Sequence, residues 1–488
     1  MNNLINLKEV LGHEKLLVAE FFKGYGSQSM ALDRLGIPNK VVVGSEVDVD
    51  AIISYASARH SQEELDKELS LSENEIKQWL IDRNIGYDFS KGKSSIPRMK
   101  KNKLRKLYNS CILCNEVGDI SLIIPDELPD FDLMTYSFPC QSISIAGLQG
   151  GFERGSGTTS SLLWECQKVI NKKKPKYLLM ENVKNLVSKK FMPSFELWCK
   201  WLETFGYKNY WKVLNAKDFG IPQNRERVFM ISILGEHKPY AFPNGFDNGL
   251  RLKDILDSDV EEKYYISGDK VDKLISELKD SEPMFTLTSQ DRHAILQVGN
   301  IAETGNWNNP QIGRVYSGYG CSPTLNTMQG GNRQPNVIVN EDTNKIIKVG
   351  EIESSYEQSG RVYSSDGVSP TVMGNSHGKS TGGYNAIKLL DNRQPLTIID
   401  DTQGFDGIRT YNEYSPTLRS KRSGLKTMNQ YRIRKLTPKE CWRLMGVDDA
   451  IFDKVCESGI SDSQLYKQAG NSIVVNVLEA IFSNLFTK

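Results

Sequence analysis

Residues 16–48 constrain this chain more than any other stretch. A short apolar run, LLVAEFF at 16–22, ends at Gly24 and Gly26. The segment SQSMALDRLG at 27–36 reads as a helix closed by Gly36, and VVVGSEVD at 41–48 as a second apolar strand with acids at its end. Strand, glycine turn, helix, strand and acid in that order form the first unit of a nucleotide-type α/β fold. Further apolar strands are expected at 131–136, 176–180 and 228–233, with helical stretches such as 162–171 between them. The pattern predicts an α/β fold, a Rossmann-like and mostly parallel sheet across residues 1–239.

The rest of the chain divides by composition. Residues 60–110 interrupt the α/β pattern as a helical insertion. Ser72 and Glu75 have the spacing of a capping box, and a basic run follows: Lys91, Lys93, Arg98, Lys100, Lys101, Lys103, Arg105 and Lys106. Two readings stay open for that run, a solvated helix face or a phosphate-contacting surface. Residues 240–430 are rich in Gly, Asn, Ser and Thr and carry an internal repeat. RVY at 314–316 with SPTL at 322–325 recurs at 361–363 with SPTV at 369–372, and more weakly as RTY at 409–411 with SPTL at 415–418. The arginine spacings are 47 and 48 residues. A period of that size marks one supersecondary unit used several times, here a smaller β-rich domain. Arg314, Arg361 and Arg409 are candidates for reading guanine, but their equivalent places favour a packing role within each repeat. Residues 431–488 turn helical again. Thr437 caps a helix that has Pro438 in its first turn and ends at Gly446, so the chain is expected to return here to its first domain.

Bulk properties exclude several classes. A length of 488 residues asks for two or three domains. A net charge of +1 neither demands nor forbids a nucleic-acid partner, so any basic surface must be local. Eight scattered cysteines read as free thiols in a reducing compartment. The N-terminus lacks the apolar core of a secretory signal, and no apolar run approaches a membrane span, which predicts a cytoplasmic protein with no membrane partner. Cys111 and Cys114 have a zinc-type spacing. A closed site needs about four ligands, no second pair is visible, and the chain has only five His, so no metal is expected.

The candidate site residues sit at strand ends. The loop of Phe22, Gly24 and Gly26 lets backbone approach a bound cofactor closely. Glu46 could accept ribose hydroxyls, and Asp119, in the run VGDI at 117–120, could hold an adenine amino group. Cys140, in SFPCQ at 137–141, follows a strand at the edge where α/β sheets place ligands, and a glycine-rich segment after it suits a closing loop. Glu181 ends the strand at 176–180, while Arg225 and Arg227 open the one at 228–233. A thiol nucleophile needs such cationic or hydrogen-bonding support.

The order of these motifs resembles the cytosine-5 DNA methyltransferase family of bacterial and phage type: F-x-G-x-G, an acid, G-D-I, P-C-Q, E-N-V and Q-x-R-x-R. A variable region follows, then RKLTPKE at 434–440 with RLMG at 443–446, and GNS at 470–472 with Val474. The resemblance covers about residues 16–235 and 431–488. It implies a flipped-out cytosine in duplex DNA as substrate and S-adenosylmethionine as methyl donor, leaving S-adenosylhomocysteine. Phe22, Gly24, Gly26, Glu46, Asp119, Ile120, Asn471 and Ser472 would line the cofactor site, with Leu162 joining them. Cys140 would attack carbon 6 of the ring. Glu181 would assist at N3, Arg227 would hold the base oxygen, and Arg225 would support the site near the thiolate. Residues 240–430 become a target-recognition domain. A monomer is implied, working in restriction–modification beside a cognate endonuclease or as a solitary or phage-borne methylase. The competing readings are a transfer-RNA methylase of the same chemistry, a silent DNA-binding relative and a plain dehydrogenase. The chain departs from the family pattern in three places. Glu46 and Asp119 lie 73 residues apart, Ser27 stands where many members have a third glycine, and Thr159 replaces an arginine that Arg154 would have to stand in for.

Overall fold

The computed structural model describes residues 5–89, 91–139, 162–221, 223, 225–245 and 437–487, a few positions between 255 and 261, and the backbone of short strands across 265–435. Cys140, the glycine-rich segment after it with Arg154 and Thr159, and Asn224 lie outside the described residues.

Six strands form the central sheet: β1 (Leu16–Phe21), β2 (Asn39–Ser45), β3 (Leu133–Tyr136), β4 (Tyr177–Val183), β5 (Tyr207–Asn215) and β6 (Glu226–Leu234). Their order is β2-β1-β3-β4-β6-β5, with β6 antiparallel to both of its neighbours and the other pairs parallel. The expected α/β sheet is therefore present. Strand β5, which the apolar pattern does not mark, is added at its edge.

Alternation along the strands builds two cores. Leu16, Val18, Leu133, Leu179 and Ile231 face one side, while Ala19, Phe21, Met134, Leu178, Met180 and Met230 face the other. Neighbouring residues of a strand point to opposite faces, so an apolar run with no polar alternation means helices on both. The second face is covered by the helices Leu163–Lys173 and Met192–Glu203, through Cys166, Val169, Ile170, Phe195 and Trp198. The first is covered by the helices Ser27–Arg34 and Val49–Ser57, by the insertion through Ile76, Leu80, Leu104 and Leu107, and by the C-terminal segment through Trp442, Leu478 and Phe482. Each fully buried Val, Leu, Ile, Phe or Met among these stabilises the fold by about 1.5–3 kcal/mol.

Residues of the C-terminal segment, among them Trp442, Leu478 and Phe482, pack in this first core. Thr437 caps the helix Pro438–Arg443 with a full capping box to Glu440, and Trp442 stacks on Tyr25 of the glycine loop at 4.4 Å between ring centroids. The helix Val475–Phe486 packs on Ser27–Arg34. The stretch Asp462–Phe486 has the length and apolarity of a membrane span. It is, however, two helices, Asp462–Asn471 and Val475–Phe486, and most of it is buried in the core.

The insertion is helical, with Glu73–Ile81 capped by Ser72 and Glu75, and Lys101–Leu113 lying against Val49–Ser57. Four of the eight cations in its basic run are engaged locally: Lys91 with Asp88, Lys103 with Asp50, Arg105 with Glu68 and Lys106 with Asp66. That weakens the phosphate-surface reading of the run and favours the solvated face. Cys111 and Cys114 sit buried at the end of the same helix, where burial pushes both thiols above their ordinary range.

In the middle region, the described strands pair only among themselves. Two copies of the repeat share one register. Arg314–Ser317 runs antiparallel to Gln297–Asn300 and parallel to Asn336–Ile338, and Arg361–Ser364 does the same with Lys348–Glu351 and Lys388–Asp391. Each antiparallel pair has a register shift at the same place, between Gln297 and Gly299 in one copy and Lys348 and Gly350 in the other. The third copy departs. Arg409–Tyr411 is antiparallel to Thr397–Asp400, and its third strand, Leu425–Met428, pairs with Thr397–Asp400 instead. The strand Arg432–Lys435, just before Thr437, pairs with Lys388–Asp391 and so belongs by hydrogen bonding to the middle region.

Candidate active site

Strands β1–β4 all end at one edge of the sheet, and β6, being antiparallel, begins there. This topology gathers residues far apart in sequence. Val183 pairs with Arg227 and Glu181 with Phe229. Arg227 Nε lies 3.3 Å from Glu181 Oε1. Burial pushes the Glu181 carboxyl above its ordinary range, against the pull of Arg227 and Arg225.

Cys140 lies four positions beyond the end of β3, and the residues just before it are described. Ser137 Oγ donates to the carbonyl of Phe22 at 3.3 Å. Phe138 is buried, and its carbonyl accepts from Asn182 Nδ2 at 3.0 Å. Asn182, next to Glu181, therefore anchors the segment that leads to Cys140. Its Oδ1 accepts from the Val183 N–H at 2.9 Å, which fixes the side chain at both ends.

The glycine loop needs its glycines. Gly24 and Gly26 have φ of 54° and 86°, a region that L side chains resist. A Cβ on Gly26 would stand 2.5 Å from both Arg59 Nη2 and the Tyr55 ring, and one on Gly24 would touch Ser472 Oγ at 3.5 Å. Phe22 also takes a positive φ, 55°, and borders the second core together with Leu162, which caps the helix Leu163–Lys173. Gly24 N–H donates to Glu46 Oε2 at 3.1 Å, while Glu46 Oε1 accepts from the N–H groups of Val47 and Asp48 at 2.8 and 3.0 Å. Burial and the nearby Asp48 hold the Glu46 carboxyl above its usual range despite those bonds.

Asp119 is buried, accepting from the Ser121 N–H at 2.9 Å and from Asn84 Nδ2 at 2.8 Å, with Ile120 buried beside it. Ser472 is buried next to Gly24, whereas Asn471, the last residue of its helix, is exposed. Arg225 is buried too, and its Nη2 donates to the carbonyls of Gly470 and Ser472 at 2.9 and 2.7 Å. One arginine at the mouth of β6 thus clasps the returning C-terminal segment beside the glycine loop.

Several residues here carry no motif signal. Glu20 sits inside β1, fully buried, and accepts from the Ser29 N–H at 2.8 Å and from the Tyr55 hydroxyl at 2.7 Å. Arg59 lies over the Tyr55 ring at 3.8 Å and donates to the Gly26 carbonyl at 2.9 Å. An acid inside an apolar strand is the one sequence sign that such a network exists.

The C-5 cytosine-specific DNA methylase model matches residues 91–487. The chain belongs to that family. The methylase is 35% identical to the Type II methyltransferase M2.ScrFI of Lactococcus lactis subsp. cremoris, over 96% of this chain and 99% of that one. It is 30% identical to the orphan methyltransferase M.SPBetaI of Bacillus phage SPbeta, over 83% and 93%. The orphan methyltransferase M.SssI of Spiroplasma monobiae matches at 37% identity over 51% of this chain and 67% of its own. This methylase is therefore a DNA cytosine-5 methyltransferase, and S-adenosylmethionine is its methyl donor.

Proposed function

We propose that Cys140 is the nucleophile of this methylase, that Glu181 and Arg227 act on the base, and that Arg225 supports the site by holding the returning C-terminal segment beside it. The observation that carries the reading is the Glu181–Arg227 pair at the sheet edge, with Asn182 anchoring the segment that enters Cys140. Carbon 5 of cytosine is a poor nucleophile. Addition of the Cys140 thiolate to carbon 6 moves an electron pair toward carbon 5 and N3. Glu181, protonated, supplies a hydrogen bond or proton at N3, and Arg227 holds the base oxygen. S-adenosylmethionine, when bound, supplies the electrophilic methyl group that carbon 5 takes up. Loss of the carbon 5 proton then returns the electron pair and expels the Cys140 thiolate. Carbon 6 is out of reach inside a duplex, so the base is flipped out, at a cost of about a few kcal/mol.

The donor site we assign to Phe22, Gly24, Gly26, Glu46, Asp119, Ile120, Leu162, Asn471 and Ser472. The chemistry fits. Two glycines open a backbone cradle, and Glu46 Oε2, with one N–H accepted, keeps a lone pair for a ribose hydroxyl. In this reading residues 1–239 and 431–488 form the catalytic domain, 240–430 read the target in duplex DNA, and Arg432–Lys435 lies at the join. The protein is taken as a cytoplasmic monomer. Relatives named as Type II and as orphan enzymes support either a partner endonuclease or a solitary role.

The test is methyl transfer from labelled S-adenosylmethionine to mixed-sequence duplex DNA, with transfer RNA alongside and digestion to nucleosides. Label is expected in 5-methylcytosine from DNA. Label confined to RNA would overturn the substrate reading. A second expectation concerns pH. A carboxyl with a raised pKa is protonated below that pKa and loses its proton above it, so a step that needs protonated Glu181 slows as pH rises. The single-turnover rate should show an alkaline limb. Glu181→Gln should flatten that limb and lower the rate by about 100-fold. An alkaline limb unchanged in the Gln variant would remove Glu181 from the acid role.

A further inference from the structure

Glu116 lies outside the catalytic and donor sets and yet touches three segments of the donor site. It is buried, at the point where the insertion ends and the chain returns beside β2. Its Oε1 accepts from the backbone N–H of Glu46 at 2.8 Å and from that of Gly118 at 3.0 Å. Its Oε2 lies 2.6 Å from Lys23 Nζ, and neither side chain of that pair is exposed. Lys23 stands between Phe22 and Gly24, and Gly118 stands next to Asp119. One carboxylate thus ties the glycine loop, the end of β2 and the start of the 119–120 turn.

The surroundings are built for that tie. Lys23 crosses under β2 at Gly44, where a Cβ would run into its Nζ. It lies 4.0 Å from the centroid of the Tyr55 ring, whose hydroxyl is held by Glu20. Gly44 also exchanges backbone hydrogen bonds with the insertion's exit, donating to Asn115 at 3.0 Å and accepting from Val117 at 2.8 Å. A buried ion pair adds little net stability over an apolar pair of the same shape, so stability alone is a weak reason to keep one. Geometry is a better one. A carboxylate that accepts two N–H groups and faces a cation is fixed in orientation, and it fixes in turn the backbone that carries those groups.

We propose that Glu116 is a positioning residue for the methyl-donor site, setting the place of Glu46 and of the 118–120 turn relative to the glycine loop, and that the insertion serves to deliver it. The proposal rests on the reading that Glu46, Gly24 and Asp119 hold the donor. Glu116 itself does not touch the donor. It acts through the backbone of those residues.

Two charge-neutral double variants isolate the effect. Lys23→Met with Glu116→Gln keeps an acceptor for the Glu46 and Gly118 N–H groups, and Lys23→Met with Glu116→Leu has none. Binding of S-adenosylhomocysteine is measured by calorimetry, below the melting temperature of both proteins. The Leu combination is expected to bind at least 10-fold more weakly than the Gln combination. Equal dissociation constants, with only the melting temperature lower in the Leu combination, would make Glu116 a structural residue and overturn the proposal. Glu116→Asp alone keeps the counter-charge for Lys23 but draws the carboxylate back by one methylene. It should raise the KM for S-adenosylmethionine by a larger factor than it lowers kcat, and a fall in kcat alone would count against positioning. Glu46→Ala serves as the reference. If it binds S-adenosylhomocysteine as the unaltered protein does, the donor-site reading itself fails, whatever the Glu116 variants do.

Discussion

Replacing Cys140 by alanine is expected to lower methyl transfer by about 10⁴-fold or more, the scale on which a nucleophile's removal is felt when no other group can stand in for it. The reason is electronic. Without addition at carbon 6, carbon 5 has no electron pair to offer, and Glu181 at N3 cannot supply one. Binding should survive. Ser137 and Phe138 hold the approach to position 140 through the Phe22 carbonyl and Asn182, and neither bond involves the thiol. The measurement is single-turnover transfer of label into duplex DNA, with DNA affinity followed in parallel. Cys140→Ser should be nearly as inactive, because a hydroxyl is far less ionised than a thiol near neutral pH. An alanine variant that retains a tenth of the rate would remove the covalent step. Lost DNA affinity with the fold intact would instead show that Cys140 helps to bind.

The parts of this enzyme that follow a local pattern can be read from its sequence, and the parts that depend on distant partners cannot. The apolar run at 16–22 becomes Leu16–Phe21, and the run at 176–180 extends to Tyr177–Val183, because strands buried on both faces need no polar alternation. Strand Tyr207–Asn215 escapes the same reading. As the edge strand it exposes Lys208, Trp211 and Lys212, and its apolar residues never form a run. Thr437 and Ser72 are legible as helix caps because both partners of a capping box lie within four residues. The basic run at 91–106 is visible, but its use is not. Asp50, Asp66 and Glu68, which engage three of its cations, are set opposite it only by folding. Glu116 gives no sign at all, since its three partners lie in the glycine loop, at the end of β2 and two residues downstream. Glu181 and Arg227, 46 residues apart, meet at the sheet edge. What orients them there is a matter of contacts between segments that no spacing rule connects.

Arg225 shows how much such a contact can carry. Its guanidinium joins β6 to the carbonyls of Gly470 and Ser472, some 245 residues further along the chain. Arg225→Ala would leave two buried carbonyls without that donor. Hydrogen bonds to a charged group contribute about 1.5–3 kcal/mol each, so a loss of about 3 kcal/mol or more is expected. For a catalytic domain of about 300 residues that lowers the melting temperature by roughly 5 °C. Arg225→Lys should not restore it, since a single ammonium lacks the planar fork of donors. Ser472 packs against Gly24, so the same variant should weaken S-adenosylhomocysteine binding before the protein melts. The assignment of Arg225 to the thiolate's surroundings makes a different forecast: unchanged melting, unchanged donor affinity and a slower covalent step. Melting, calorimetry and single-turnover rates on one variant separate the two. The buried bonds to the returning segment favour the first outcome, in which this arginine serves catalysis by holding the C-terminal segment in place beside the glycine loop.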